Sequence, residues 1–183
     1  MIIGVAGYKG HGKDSVGGIL SQKGFVMMSF AMPLKKMLME GLKLSSEQVH
    51  GKLKEVVDPR YGVTPRYMMQ TLGTQWGRDL IHPELWILAS MERARDYGAE
   101  GRSVVFTDVR FPNEAAAIRA AGGQVWAVLR PSHPIDTSHE SEQHVERLTQ
   151  EADQLIFNTG SLFDLGIAVD DAYWSTKWIA KRC

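Results

Sequence analysis

Only one cysteine is present, Cys183. No disulfide can therefore form within the chain, and a zinc site assembled from several thiolates is excluded; such usage suits a reducing compartment. An apolar run approaching the ~18 residues that span a bilayer is missing too. The opening "MIIGVAG" is too short for the apolar region of a secretion signal, and the expectation is a soluble, intracellular protein. Charge of one sign is equally absent, with 21 Lys plus Arg against 21 Asp plus Glu. No global field draws this chain onto nucleic acid or an anionic membrane, so neither is an expected partner and any phosphate binding must be local. Internal repeats, low-complexity tracts and linkers are not seen. With 183 residues, 44% of them hydrophobic, one domain around one substantial core is the default reading.

What is there reads as strands alternating with helices. Ile2 to Ala6 is a short apolar run ended by glycines, and a helix follows from Asp14 to Gln22 despite Gly17 and Gly18. "GFVMMSFA" is a second strand, and Pro33 opens a helix through Leu42. Residues 43 to 64 look irregular. A helix restarts with Thr64 as N-cap and Pro65 at its first position, and another runs from Glu84 to Tyr97. "SVVFTDV" is the clearest strand; "NEAAAIRAAGG" is a helix closed by glycines, "QVWAVLR" the next strand, and "QLIFN" with a terminal helix completes the order. Such alternation predicts an α/β fold of three layers, a mostly parallel sheet with helices on both faces.

Residues 7 to 13, "GYKGHGK", have the spacing G-x-x-x-x-G-K and lie between a predicted strand and a predicted helix. That is the context in which backbone N–H groups and a helix N-terminus cradle phosphate, with Lys13 reaching the terminal phosphates. Asp14 stands where such loops usually carry serine or threonine. Its carboxylate can bind magnesium directly or through water, with Ser15 as second choice. It can also do no more than complement the helix N-terminus.

Outside the loop, Arg66, Gln70, Thr74 and Arg78 recur every four residues and form one gently drifting stripe. Arginine suits a phosphate and glutamine a base edge; the plain alternative is a solvated helix face. Asp108 and Arg110 end the strongest strand, where ligands of open parallel sheets collect. Asp108 is a candidate to hold magnesium-bound water or to orient an acceptor, and Arg110 to neutralise a transferred phosphoryl group, against a structural pair beside the capping turn "FPNE". The polar stretch 130–147 is a candidate lid with Arg130 at its root. Its histidines, His133, His139 and His144, match no familiar zinc spacing.

Several separated motifs coincide: "GYKGHGKDS", "SFAMPLKK", "RYMMQTLGTQWGRDLIHPELWI", "VVFTDVRFPNEAAAI", "HESE" and "IFNTGSLFDL". Together they resemble the deoxynucleoside monophosphate kinases of tailed bacteriophages, members of the P-loop kinase fold. The resemblance implies a single domain over 1–183, an acceptor-binding helical region at 32–97, and ATP-dependent phosphorylation of deoxynucleoside monophosphates with magnesium in a cytoplasm, the host's if phage-encoded. It implies that Gly7, Lys9, Gly10, His11, Gly12, Lys13, Asp14 and Ser15 bind the nucleotide, with Asp14 or Ser15 on the metal. Lys13, Asp108, Arg110 and Arg130 are the implied catalytic residues. Lys35, Arg66, Gln70, Arg78, Trp86, Asp108, Arg110 and Glu114 are the implied substrate residues, while His139 and Glu142 carry over from the lid. A homodimer is a candidate assembly. Two other readings share the loop: a kinase of another phosphorylated metabolite, such as phosphomevalonate or dephospho-coenzyme A, and a regulatory ATPase.

Overall fold

The computed structural model describes residues 1–135 and 144–180, without the side chains of 179 and 180. In chain order the elements are β1 (Ile2–Ala6), α1 (Lys13–Gln22), β2 (Val26–Met28), α2 (Met32–Gly41), α3 (Ser46–Val49), a 3-10 turn (Lys52–Glu55), α4 (Pro65–Thr71), a π-helical segment (Leu72–Ile81), α5 (Leu85–Ala99), β3 (Val104–Val109), α6 (Pro112–Ala120), β4 (Gln124–Leu129), α7 (Val145–Gln150), β5 (Gln154–Phe157) and α8 (Leu162–Ala180). They form two compact units, one of Met1–Ser29 with Arg93–Cys183, the other of Phe30–Glu92.

The first unit is built on a five-stranded sheet in the order β2-β3-β1-β4-β5, every ladder parallel. Its central strands are continuous apolar runs because parallel strands covered on both faces present no wet side; β1, β3 and β4 are buried almost throughout. Ile3, Val5, Val16, Leu20, Val105, Trp126, Val128, Ile156 and Val169 share one core. Helix α1 lies close on β3: a Cβ built on Gly17 would stand 2.3 Å from Thr107 Cγ2. The glycine that weakens the helix in isolation is what lets it seat. Strand β2 is shorter than its apolar run suggests, because Gly24 takes a positive φ and the Phe25 N–H is used on Leu20 O to close α1.

The second unit is helical and packs Leu34, Leu38, Leu44, Val49, Met68 and Trp86 into its own core. Its stretch 43–64 is more regular than expected. Ser45 and Gln48 form a reciprocal capping box that starts α3, the S-x-x-Q signature of a helix N-terminus. Asp58 anchors the rest: its buried carboxylate accepts from the Arg60 side chain at 2.6 and 3.0 Å, from the Arg60 N–H at 2.9 Å and from Gln48 Nε2 at 2.7 Å. Thr64 caps α4 with Pro65 at the first position, as expected, its hydroxyl accepting from the Tyr67 N–H at 3.1 Å. Among the described residues no helix is long and apolar enough to cross a membrane.

Candidate active site

In the first unit the loop after β1 leaves the middle of the sheet, where the strand order reverses, which is where parallel sheets collect their ligands. Gly7, Gly10 and Gly12 hold φ of 149°, 81° and 108°, values that fold the chain tightly and that other residues rarely adopt. Gly12 is the left-handed N-cap of α1. The Lys13 ammonium turns back over the loop and donates to Gly7 O at 2.6 Å and Tyr8 O at 2.9 Å. Asp14 and Ser15 follow in the first turn of α1, both exposed, as is Lys9.

The loop is braced from two neighbouring strands. At the end of β4 the Arg130 N–H donates to Nδ1 of His11 at 3.1 Å, a histidine only 2% exposed. Beyond β5 the Asn158 side-chain amide donates to His11 O at 3.0 Å. His11 thus has a structural hold on the loop besides its expected place among the nucleotide residues. Asn158 was not singled out by sequence reasoning; its position at the end of "QLIFN", on the ligand-collecting edge, was the available signal. His133 lies against the loop as well, 5.7 Å from His11 between ring centroids, with Nε2 2.4 Å from a Cβ built on Gly10. His144 instead meets Phe111 at 5.5 Å. His139 and Glu142 lie outside the described residues, as do all of 136–143 within the stretch read as a lid.

Strand β3 delivers Asp108 and Arg110 to the same edge. Gly4 of β1 pairs with Phe106, but Ala6 pairs with Val109, so β3 carries one extra residue opposite Val5. Bulges of this kind re-aim side chains near functional sites, and Asp108 sits in it, partly exposed between buried Thr107 and Val109. Glu114 is 3% exposed. Its Oε2 accepts from the Arg110 N–H at 2.7 Å and the Phe111 N–H at 3.1 Å, capping α6 and fixing the backbone on which Arg110 rides.

In the second unit Arg66, Gln70 and Thr74 are exposed and Arg78 half-buried, while Pro65, Met68, Gly73 and Gly77 are buried. Arg66 Nε donates to Glu55 at 2.8 Å, an exposed pair of the sort worth little and readily exchanged. Lys35 is half-buried on α2. Its charge, with that of Lys54 and behind the larger effect of burial, pushes the His50 imidazole below its ordinary pKa. Trp86, expected at the substrate, is 4% exposed and donates its indole N–H to Gly73 O at 2.7 Å. The structure gives it a place in the core.

A glycine loop ending in lysine at the head of a helix, in the middle of a 2-3-1-4-5 parallel sheet, defines a P-loop kinase fold. The deoxynucleotide monophosphate kinase family matches this chain over residues 47–169. The chain belongs to that family. A protein of Acanthamoeba polyphaga mimivirus named "Putative deoxynucleotide monophosphate kinase" is 37% identical over 160 residues, 78% of this chain and 80% of its own. The deoxynucleoside-5'-monophosphate kinase of Escherichia phage T5 is 41% identical over 58 residues, which are 31% of this chain and 22% of that enzyme. Among solved structures, dephospho-CoA kinase from Campylobacter jejuni superposes with a TM-score of 0.60 over 96% of both chains at 16% identity, a likeness of fold.

Proposed function

We propose that this protein transfers the γ-phosphoryl group of ATP to deoxynucleoside 5'-monophosphates, yielding diphosphates for nucleotide supply in the cytoplasm. The observation that carries the reading is the loop: three positive-φ glycines at a helix head, with the Lys13 ammonium held over them by two of the loop's own carbonyls. An ammonium so placed exchanges carbonyl oxygens for phosphate oxygens with little movement. Family membership supplies the acceptor class.

Phosphoryl transfer requires little covalent help from the protein; it requires positioned cations and the exclusion of water. The loop N–H groups and Lys13 hold the donor phosphates. Asp14 and Ser15, exposed oxygen donors side by side next to Lys13, would hold a magnesium ion, which would supply charge neutralisation to the donor phosphates. Asp108 is the carboxylate that would hold magnesium-bound water or orient an acceptor, and Arg110, on a backbone pinned by Glu114, offsets the charge of the transferred group. Arg130, whose backbone N–H donates to His11, adds a cation from the root of 130–147. In the second unit, Arg66 and Arg78 bind the acceptor phosphate after Arg66 exchanges Glu55 for it, Lys35 adds positive charge, and Gln70 meets the base edge.

The test is ADP release with ATP and magnesium, in the presence and absence of each of the four deoxynucleoside monophosphates. Acceptor-dependent turnover is expected with at least one. Turnover independent of every acceptor makes the protein an ATPase, and turnover only with dephospho-coenzyme A or phosphomevalonate moves it to another metabolite.

A further inference from the structure

The segment Leu72–Ile81 is π-helical over ten residues, far longer than the single-turn bulges in which such geometry usually occurs. Its last N–H, from His82, reaches back five residues to Gly77 O at 3.0 Å. This width changes what the four-residue spacing of Arg66, Gln70, Thr74 and Arg78 means. In an α-helix four residues overshoot a full turn by about 40°, so a wholly α-helical segment would carry Arg78 about 120° around from Arg66. With i→i+5 bonding and roughly 4.4 residues per turn, four residues fall roughly 30° short. The α-helical Arg66–Gln70 step and the π-helical Thr74–Arg78 step therefore drift in opposite directions, and the four residues stay on one line.

The cause of the width lies outside the segment. Trp86, on α5, occupies the groove made by Gly73 and Gly77. A Cβ built on Gly77 would stand 2.6 Å from Trp86 Cζ2 and 2.7 Å from Cε2 and Nε1, so the indole fills the space that any other residue would claim. The indole N–H meets Gly73 O at 2.7 Å. In an α-helix that carbonyl would serve the Gly77 N–H; here the indole takes a share of it and the backbone closes one residue later. Trp76 meets the same indole in a tilted contact, 6.3 Å between ring centroids, and helps to hold it.

We infer that Trp86 is a positioning residue for acceptor binding: by holding the Leu72–Ile81 turns open, it keeps Thr74 and Arg78 in line with Arg66 and Gln70. The inference rests on the proposed acceptor role of that stripe. It assigns Trp86 no contact with the acceptor; its effect passes through the backbone to Arg78.

Trp86→Phe keeps most of the ring but removes the N–H. It is expected to lower kcat/KM about tenfold for all four deoxynucleoside monophosphates by one common factor, with the KM for ATP within twofold of wild type. In an Arg78→Ala background the same change should add less than twofold, because the residue it places is gone. Gly77→Ala, which retains the indole but displaces it, should give the same pattern and replaces Trp86→Phe should that variant not fold. Full additivity with Arg78→Ala overturns the inference, as does unchanged acceptor kinetics in a folded variant. A reordering of preference among the bases overturns it too, because it would put the indole against the acceptor itself. Wild-type protein with no acceptor-dependent ADP release removes the functional reading, and this inference with it.

Discussion

Lys13 is the residue whose resting contacts disclose most about its task. Its ammonium donates to two loop carbonyls, at 2.6 and 2.9 Å, and under the proposed function its removal takes a cation from the terminal phosphates. Lys13→Ala is expected to lower kcat about 100-fold or more with a melting temperature close to wild type; near-wild-type turnover would take the loop out of the mechanism. Asp58 is the opposite kind of residue, structural and far more perturbed. Hydrogen bonds from Arg60 first, then from Gln48, hold its carboxyl well below the ordinary value of 3.8 against the opposing effect of burial. A depressed carboxylate stabilises the fold above its unfolded value, and that contribution is lost as pH falls through the folded one. The wild-type melting temperature should therefore drop as pH is lowered below about 4, and Asp58→Asn should be less stable at pH 7 with a flatter acid limb. Parallel pH profiles of the two proteins would contradict this.

Among the elements, α1 is the one whose fit is most exposed to a single atom. Gly17 lies 2.3 Å in Cβ terms from Thr107 Cγ2 and 3.0 Å from Met27 Cε. Alanine there gains helix propensity of about 1 kcal/mol but overpacks the α1–β3 seam, at a typical cost of 1–3 kcal/mol. Gly17→Ala should melt several degrees lower, at roughly 2–4 °C per kcal/mol for a chain this long. Thr107→Ser in the same chain should restore part of the loss, since it removes the opposing methyl. Elements of this kind were legible in the sequence: apolar runs marked the strands, and Thr64 with Pro65 marked the start of α4. The π-helical segment was not, because its width is decided by an indole that contacts Gly73 from thirteen residues away. The bulge at Asp108 escaped for the same reason, being a matter of register between β1 and β3. The short α3 was missed although its Ser45–Gln48 capping pattern was in plain view.

At the scale of the whole molecule, the residues of the glycine–lysine loop and those of the stripe proposed for the acceptor fall in different units. Lys13, Asp14 and Ser15 belong to the first, Arg66, Gln70 and Arg78 to the second. The glycine–lysine loop was readable because its function demands a contiguous backbone conformation. The stripe of Arg66, Gln70 and Arg78 was readable only as a spacing, since its proposed role depends on the helix that carries it. A ligand that binds only the folded state stabilises by about 2.7 kcal/mol at 100 times its dissociation constant, or roughly 5–11 °C at the slope for chains of this size. Thermal melts can therefore test each half without turnover, and they predict a double dissociation. Lys13→Ala should lose most of the shift given by ATP with magnesium and keep the shift given by a deoxynucleoside monophosphate alone. Arg66→Ala should do the reverse, keeping the ATP shift and losing the monophosphate's. Each substitution would then report on its own nucleotide through the groups that bind phosphate beside it. If Arg66→Ala left the monophosphate shift intact, the stripe would be a solvated helix face. If Lys13→Ala removed both shifts, donor and acceptor would share the loop, and the division of labour argued from the residues would fail.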